Sequence, residues 1–445
     1  MQAIARRLAA PVFALALFSS AALIFVLQPL FGRMMTPLLG GSPQVWNTSM
    51  AFFQAALLAG YLYAHLLARL NDMRLQALIH GGVLIAACLF LPVHVSAMLG
   101  PPNSEQPVPW LLGVLALSVG APFAAASATA PLLQAWYARS GRADAQDPYY
   151  LYAASNLGSF AGLLAYPTLI EPLMGAGAQS LAWATAYLAV GMVIAACALL
   201  AIAARGSAPV QADGGIAPTW RRRAYWIAAA AAPSALSLGV TLHISTDIAS
   251  APMLWVIPLA LYLLTFVLAF ARGGQKMAVA AQIVFPLTLS LLLLSDEMGD
   301  NWLVSASLVL LGYFFAALIC HLALAASKPG AARLTEFYLC VSLGGVLGGA
   351  FAALAAPVIF NNAYEYPIAL AAACLFCRAQ TPRFRVADAA FGAAFAAFIL
   401  ALMSLAWAPP APTLALGALG CVAAIVGTAL RGDQRTLQGR YIIMA

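Results

Sequence analysis

The chain has 445 residues, of which 64% are hydrophobic and only 8% charged, against roughly 25% charged in an ordinary soluble domain. Apolar stretches of about 20 residues, the length that crosses a bilayer as helix, recur from end to end and exclude a soluble domain of useful size. The net charge of +7 is scattered through short loops, which argues against a nucleic-acid partner, and the seven cysteines lie in or at the ends of apolar runs, which argues against a disulfide framework.

In chain order, Arg6 and Arg7 precede an apolar run over 11–32. That run is longer than the roughly 7–15-residue core of a signal peptide and leads directly into the next segment, so it reads as a retained first span. Further spans are predicted over 45–70, 75–99, 110–137, 149–174 and 179–204, the fourth broken by Pro122 and Pro131. The polar segment RGSAPVQADGGIAPTWRRR, 205–223, reads as a linker. Spans follow over 224–246, 252–271, 277–295, 302–326, 335–360 and 364–378, with two more over 386–407 and 413–430. The expected fold is an all-α polytopic membrane protein of about 14 transmembrane helices in a 6 + 6 + 2 arrangement. Its parts are a first half over 1–204, a second over 224–380, two extra helices within 381–430 and a cytoplasmic tail over 431–445.

The charges support that alternation. With the N-terminus in the cytoplasm, every Lys and Arg except Arg33 falls on the cytoplasmic side, as the positive-inside rule requires. Both termini and the linker are then cytoplasmic, in contact with the lipid bilayer's inner face.

The halves also share residues. At an offset of 209, Pro43 and Trp46 fall on Pro252 and Trp255, each pair opening a long apolar helix. Pro is tolerated in a first helical turn, and Trp suits a membrane–water interface. At an offset of 187, Ser155, Gly158 and Gly162 fall on Ser342, Gly345 and Gly349. Two nearby offsets indicate a tandem repeat with loop-length drift. The pairs Gly158/Gly162, Gly344/Gly348 and Gly345/Gly349 are G-x-x-x-G steps that let a neighbouring helix approach closely.

The segments LQPLFGRMMTPLLGGSPQVWNT, FFQAALLAGYLYAH, YLYAASNLGSFAGLLAYP, STDIASAPMLWVIPLALYLLTFVLAF and SLGGVLGGAFAALAAP…EYPIAL resemble the membrane portion of the fused major-facilitator/spermidine-synthase-like proteins of bacteria. The resemblance covers essentially the whole chain. It implies a major-facilitator fold in the bacterial cytoplasmic (inner) membrane, with the fifth and eleventh helices packing on the eighth and second. It also implies transport of a small polar or cationic solute such as a polyamine, or alternatively an anchoring or regulatory role beside a cytoplasmic spermidine-synthase-like partner. The chain stops at TLQGRYIIMA, about where the synthase domain of that family begins, and no glycine-rich nucleotide fingerprint occurs. No catalytic residue, cofactor or metal is therefore expected.

Candidate site residues are polar groups within or beside the spans. Arg33, His243 and Asp247 are expected at one outer vestibule, as a gate or a static ion pair. Gln28, Asn47, Gln54 and Asn156 read either as interhelical hydrogen-bonding groups or as cavity-lining contacts. His65 and His321 read as interfacial residues at helix ends, and Glu171 and Glu365 as capping or topology residues. His80 and His94 lack metal-ligand spacing, and Cys374 and Cys377 read as inert thiols.

Overall fold

The computed structural model describes residues 2–102, 107–140, 142–146, 148–203, 217–248, 254–271, 273–278, 280–282, 284, 285, 288, 302–361 and 364–376. Residues 205–216 of the expected linker, most of the span expected over 277–295, both extra spans and the tail lie outside the described residues. The described part is helical, with no strand. Eight of its helices are long and apolar enough to cross a membrane, and a ninth span results if the bent pair Val256–Phe270 and Gly274–Gln282 is taken as one.

The first helix, α1 (Gln2–Leu39), runs past its expected end and carries Arg33 on its closing turns. Gly40, at φ 75°, ends it in the left-handed conformation that glycine adopts without steric cost. The Ser42 hydroxyl then accepts the Val45 N–H, and Pro43 occupies the first turn of α2 (Pro43–Ala68). Asp72 caps α3 (Met73–Ala87) by accepting the Arg74 N–H.

The fourth rod, α4 (Pro107–Ala138), forms one span despite the two prolines, interrupted by a π-turn and, between the prolines, at Ala128. A π-turn over Ala116–Gly120 precedes Pro122, and Pro131 sits near the start of the segment Thr129–Ala138. Widening the turn relieves the missing N–H and the ring clash that proline imposes on a helix. The same device closes α5 (Tyr150–Ala165), whose π-turn Tyr166–Ile170 contains Pro167. After α6 (Ala176–Ala203), Thr219 caps α7 (Trp220–His243), so Arg221–Arg223 are helical and the linker is shorter than expected. The remaining helices are α8 (Val256–Phe270), α9 (Trp302–Ala326), α10 (Leu334–Ala350, followed by a π-turn over Phe351–Ala355) and α11 (Glu365–Cys374).

Two pairings dominate the packing: α1 against α5, and α7 against α10. Glycines make both possible. A Cβ at Gly162 would come within 2.5 Å of the Ala22 carbonyl oxygen, and one at Gly158 would strike the Phe18 carbonyl. In the second pair, Gly344 and Gly348 abut the carbonyls of Ile227 and Ala231. Backbone-to-backbone contact of this kind supplies dispersion that lipid tails cannot match.

The register differs from the sequence alignment by one residue. Phe18 and Ala22 precede Ile227 and Ala231 by the expected 209, but Gly158 and Gly162 answer to Gly344 and Gly348, an offset of 186. Gly345 has no atom within 4 Å of its Cβ position, and Gly349 faces Gln54 of α2. The Gly158/Gly162 and Gly344/Gly348 steps pack within each set of helices and not between the sets, where the sequence reading had placed them. Across the sets, α2 lies along α10 and α5 along α8.

Candidate functional site

Between these crossing pairs lies a cavity of about 150 Å³. Its wall takes Ser20 and Gln28 from α1, Gln54 and Tyr61 from α2, Ser127 from α4, Tyr152 and Asn156 from α5, Tyr262 and Phe266 from α8, and Ser342 from α10. Among the described residues no Asp, Glu, Lys, Arg or His lines it. The helices place these groups by periodicity. Tyr152, Ser155, Asn156 and Ser159 fall at i, i+3, i+4 and i+7 and so share one face of α5.

The polar groups are unevenly satisfied. Asn156 Nδ2 donates to the Tyr152 carbonyl at 2.8 Å. Gln54 Nε2 donates to Ser234 Oγ at 3.1 Å, and Ser234 Oγ donates to the Gly345 carbonyl at 2.8 Å. Gln28 Oε1, Gln54 Oε1 and Ser342 Oγ are buried at the wall without a partner. A buried polar atom left in that state costs about 1–3 kcal/mol.

Contacts between the two helix sets cross at both ends of the cavity, by different means. One end carries most of the described cations, and its closure is thick. Tyr152 meets Tyr338 at 4.7 Å between ring centroids, Phe270 at 5.0 Å and Phe266 at 5.7 Å; Tyr61 meets Tyr338 at 6.3 Å and Tyr149 meets Phe337 at 5.9 Å. Three hydrogen bonds cross the same seam: His65 Nδ1 with Thr335 Oγ1 at 3.0 Å, Tyr149 OH to the Pro329 carbonyl at 3.0 Å, and Tyr338 OH to Gln134 Oε1 at 2.8 Å. Glu336, bracketed by Arg223 at 2.6 Å and Arg333 at 3.4 Å, braces the second set beneath it. At the opposite end the Trp46 and Trp255 rings stack across the seam, with centroids 3.4 Å apart. The two tryptophans that the sequence set at corresponding positions thus meet each other.

The other described candidate residues lie elsewhere. Arg33 belongs to a local cluster: its guanidinium donates to the Glu171 and Met174 carbonyls at 3.4 and 3.3 Å and lies 4.0 Å from the Glu171 carboxylate. Glu171 is therefore its partner in the first set, beyond the capping role expected of it. His243 stacks on Tyr366 of α11 with ring centroids 5.4 Å apart. The Asp247 side chain lies outside the described residues. Asn47 is 4% exposed, adjoins Trp46 and has an unpartnered Oδ1, but it does not line the cavity. His321 is not interfacial: it is fully buried, bonded through Nδ1 to Thr265 Oγ1 at 2.8 Å and stacked on Phe266 at 3.6 Å. Of the seven polar candidates, the structure brings Gln28, Gln54 and Asn156 together. Sequence reading missed the tyrosines and serines around them, although the polar face of α5 was there to be found.

No family model matches the sequence, and no curated protein matches it significantly. Solved structures do. A bacterial homologue of the iron transporter ferroportin, in an outward-facing state, aligns over 82% of this chain and 97% of its own at 12% identity, with a TM-score of 0.54. A D-xylose-proton symporter aligns over 85% of this chain and 97% of its own at 11% identity, with a TM-score of 0.50. At such identities the likeness is one of fold alone: the described helices, eight of them apolar and long enough to cross a membrane, take an arrangement shared with these two transporters.

Proposed function

We propose that the chain is a secondary transporter that carries a small solute through the central cavity by opening its two ends in turn. The observation that supports this most is the cavity itself, lying between two helix sets that meet through an aromatic cluster at one end and, among the described residues, through the Trp46–Trp255 ring pair at the other. In this reading α1–α6 and α7–α11 are the moving halves of a tandem repeat. The matched pairings of α1 with α5 and of α7 with α10 support it, as do the glycines that permit both. The basic end is assigned to the cytoplasm by the positive-inside rule, which puts the Trp46–Trp255 pair outside and both termini inside a bacterial inner membrane.

The polyamine implied by the family resemblance fits the cavity poorly, because a cation at that depth calls for a carboxylate, and among the described residues none lines the wall. The synthase-like partner remains an inference from the sequence resemblance alone.

The test is labelling of a Ser342→Cys variant, with the native cysteines replaced, by a membrane-impermeant maleimide in sealed vesicles of each orientation. Alternate opening predicts labelling from both sides, faster from the tryptophan side. A cysteine that reacts from neither side would refute a solute pathway.

A further inference from the structure

Away from the cavity and its seam, one corner of the basic end carries an excess of positive charge. The span that begins at Trp220 opens on the run Arg221–Arg223. Arg222 Nη2 donates to the Ser327 carbonyl at 2.9 Å, and its guanidinium lies over the Trp226 ring, 5.4 Å from the centroid. Arg223 pairs with Glu336 at 2.6 Å, and Arg333 reaches the same carboxylate at 3.4 Å. Glu336 is therefore already shared, while Lys328 adds a further cation on the loop that carries Ser327.

Arg221 takes no part in these contacts; it is exposed and has no partner among the described residues. Its place on the helix is the reason. It lies five residues before the buried Trp226, about 140° round the helix from it. Arg221, Ala224 and Ala228 fall at i, i+3 and i+7, and all are exposed, so they form one outward stripe of α7. On a helix that spans the bilayer, that stripe faces lipid. A guanidinium stands at its head, and two alanines below it leave a shallow apolar track. Trp220, 80% exposed, stands beside the guanidinium, with its own ring held under that of Arg223 at 4.7 Å. A tryptophan exposed at the end of a span sits in the headgroup layer.

A cation at headgroup level above an apolar track matches the build of a phospholipid, which is phosphate at one end and acyl chain at the other. A zwitterionic headgroup brings its own cation into a corner already rich in them; an anionic headgroup brings none. A small soluble anion would pair with Arg221 but leave Trp220 and the alanine track unused.

We propose that Trp220 and Arg221 form a site for one anionic phospholipid, with its phosphate on Arg221, its chain along Ala224 and Ala228, and Arg223 as the residue that positions the Trp220 ring. The inference rests on α7 spanning the bilayer and is independent of what the cavity carries.

Tryptophan quenching on the full chain tests it, in nanodiscs of phosphatidylcholine with phosphatidylglycerol as the anionic lipid. Each lipid in turn carries brominated chains, at equal bromine content. Brominated phosphatidylglycerol is expected to quench more than brominated phosphatidylcholine, and Trp220→Phe should remove that excess. Arg221→Gln should weaken the preference about fivefold, the factor that one interfacial arginine supplies, and Arg221→Lys should retain most of it. Arg74→Gln removes another exposed arginine at the basic end and should leave the preference intact. Inorganic phosphate at matched ionic strength should not compete. Equal quenching by the two lipids, or an excess that survives Trp220→Phe or Arg221→Gln, would overturn the site. An equal loss in Arg74→Gln would overturn it too, by showing a diffuse attraction of anionic lipid to the whole basic face. Displacement by inorganic phosphate would replace the lipid site with a simple anion site, and so would also contradict the proposal.

Discussion

The two ends of the cavity are built from the same kinds of residue and differ in how many hold the seam. At the basic end, rings from Tyr61, Tyr149 and Tyr152 interdigitate with Phe266, Phe270, Phe337 and Tyr338, and three hydrogen bonds cross beside them. At the other end the ring pair among the described residues is Trp46 with Trp255, beside contacts of α2 with the π-turn Phe351–Ala355. Each aromatic pair contributes about 0.5–1.5 kcal/mol beyond its buried area, so the closures differ by several such increments. The lesson is that contact between the two helix sets is graded, with an aromatic cluster at one mouth and, among the described residues, a ring pair at the other.

The largest effect should come from the thick end. Tyr338 is 1% exposed and touches Tyr61, Tyr149, Tyr152 and Phe337. Tyr338→Ala is expected to cost about 3–5 kcal/mol, in line with other large-to-small aromatic truncations in cores, read as a lowered midpoint of thermal unfolding. Tyr338→Phe removes only the bond to Gln134 and should cost about 1 kcal/mol. Equal losses in the two variants would show that the hydrogen bond, not ring packing, holds this end.

Smaller, and confined to the other mouth, is Trp46→Ala. Loss of the stack should raise the labelling rate of Ser342→Cys from the tryptophan side by up to about tenfold and leave the rate from the basic side unchanged. An unchanged rate would mean that Trp255 alone, or another group, closes this mouth.

His65→Ala is expected to be milder still. It removes one hydrogen bond to Thr335 and the adjoining contact with Arg69 Nη2 at 3.1 Å, a loss of about 1 kcal/mol in a seam held by many contacts. Accessibility at the basic end should barely change.

The smallest effect lies off the seam. The hydrogen-bonded Arg142 guanidinium, 2.8 Å away, holds the Asp144 carboxyl below the usual carboxylate range. A depressed native value means that the pair stabilises above the unfolded-state range and loses its effect as pH falls through the lower native value. Both groups are partly exposed, so the contribution should stay below about 1 kcal/mol. Asp144→Asn should flatten the acid limb of the thermal-stability profile slightly and leave labelling at both mouths as it was.

Much of the fold was legible because hydropathy and helix length are set by the bilayer, which acts on every span alike. The ends of the spans were less legible. Leu39 and Trp220 close and open their helices through Gly40 and the Thr219 cap, which act locally and outweigh the charge of Arg33 and Arg221–Arg223. The glycine register slipped by one because GGVLGG offers two overlapping steps, and only the partner helix decides which one faces Ile227 and Ala231. Of the site, Gln28, Gln54 and Asn156 stood out as amides in apolar surroundings. Tyr61, Tyr152 and Phe266 did not, since an aromatic residue in a membrane helix reads alike whether it faces lipid, a core or a cavity. Arg33 pointed to Asp247, whose side chain lies outside the described residues; the acid beside it among the described residues is Glu171, at a neighbouring helix end.

The most direct test of unequal closure is a pair of spin-label distance measurements on the reconstituted chain with its native cysteines replaced. One pair, Leu38→Cys with Tyr364→Cys, spans the tryptophan mouth, and the other, Leu70→Cys with Gly330→Cys, spans the basic mouth; all four positions are exposed. The account predicts that Trp46→Ala widens the first distribution and leaves the second narrow. Widening of both together, or of the second alone, would contradict it.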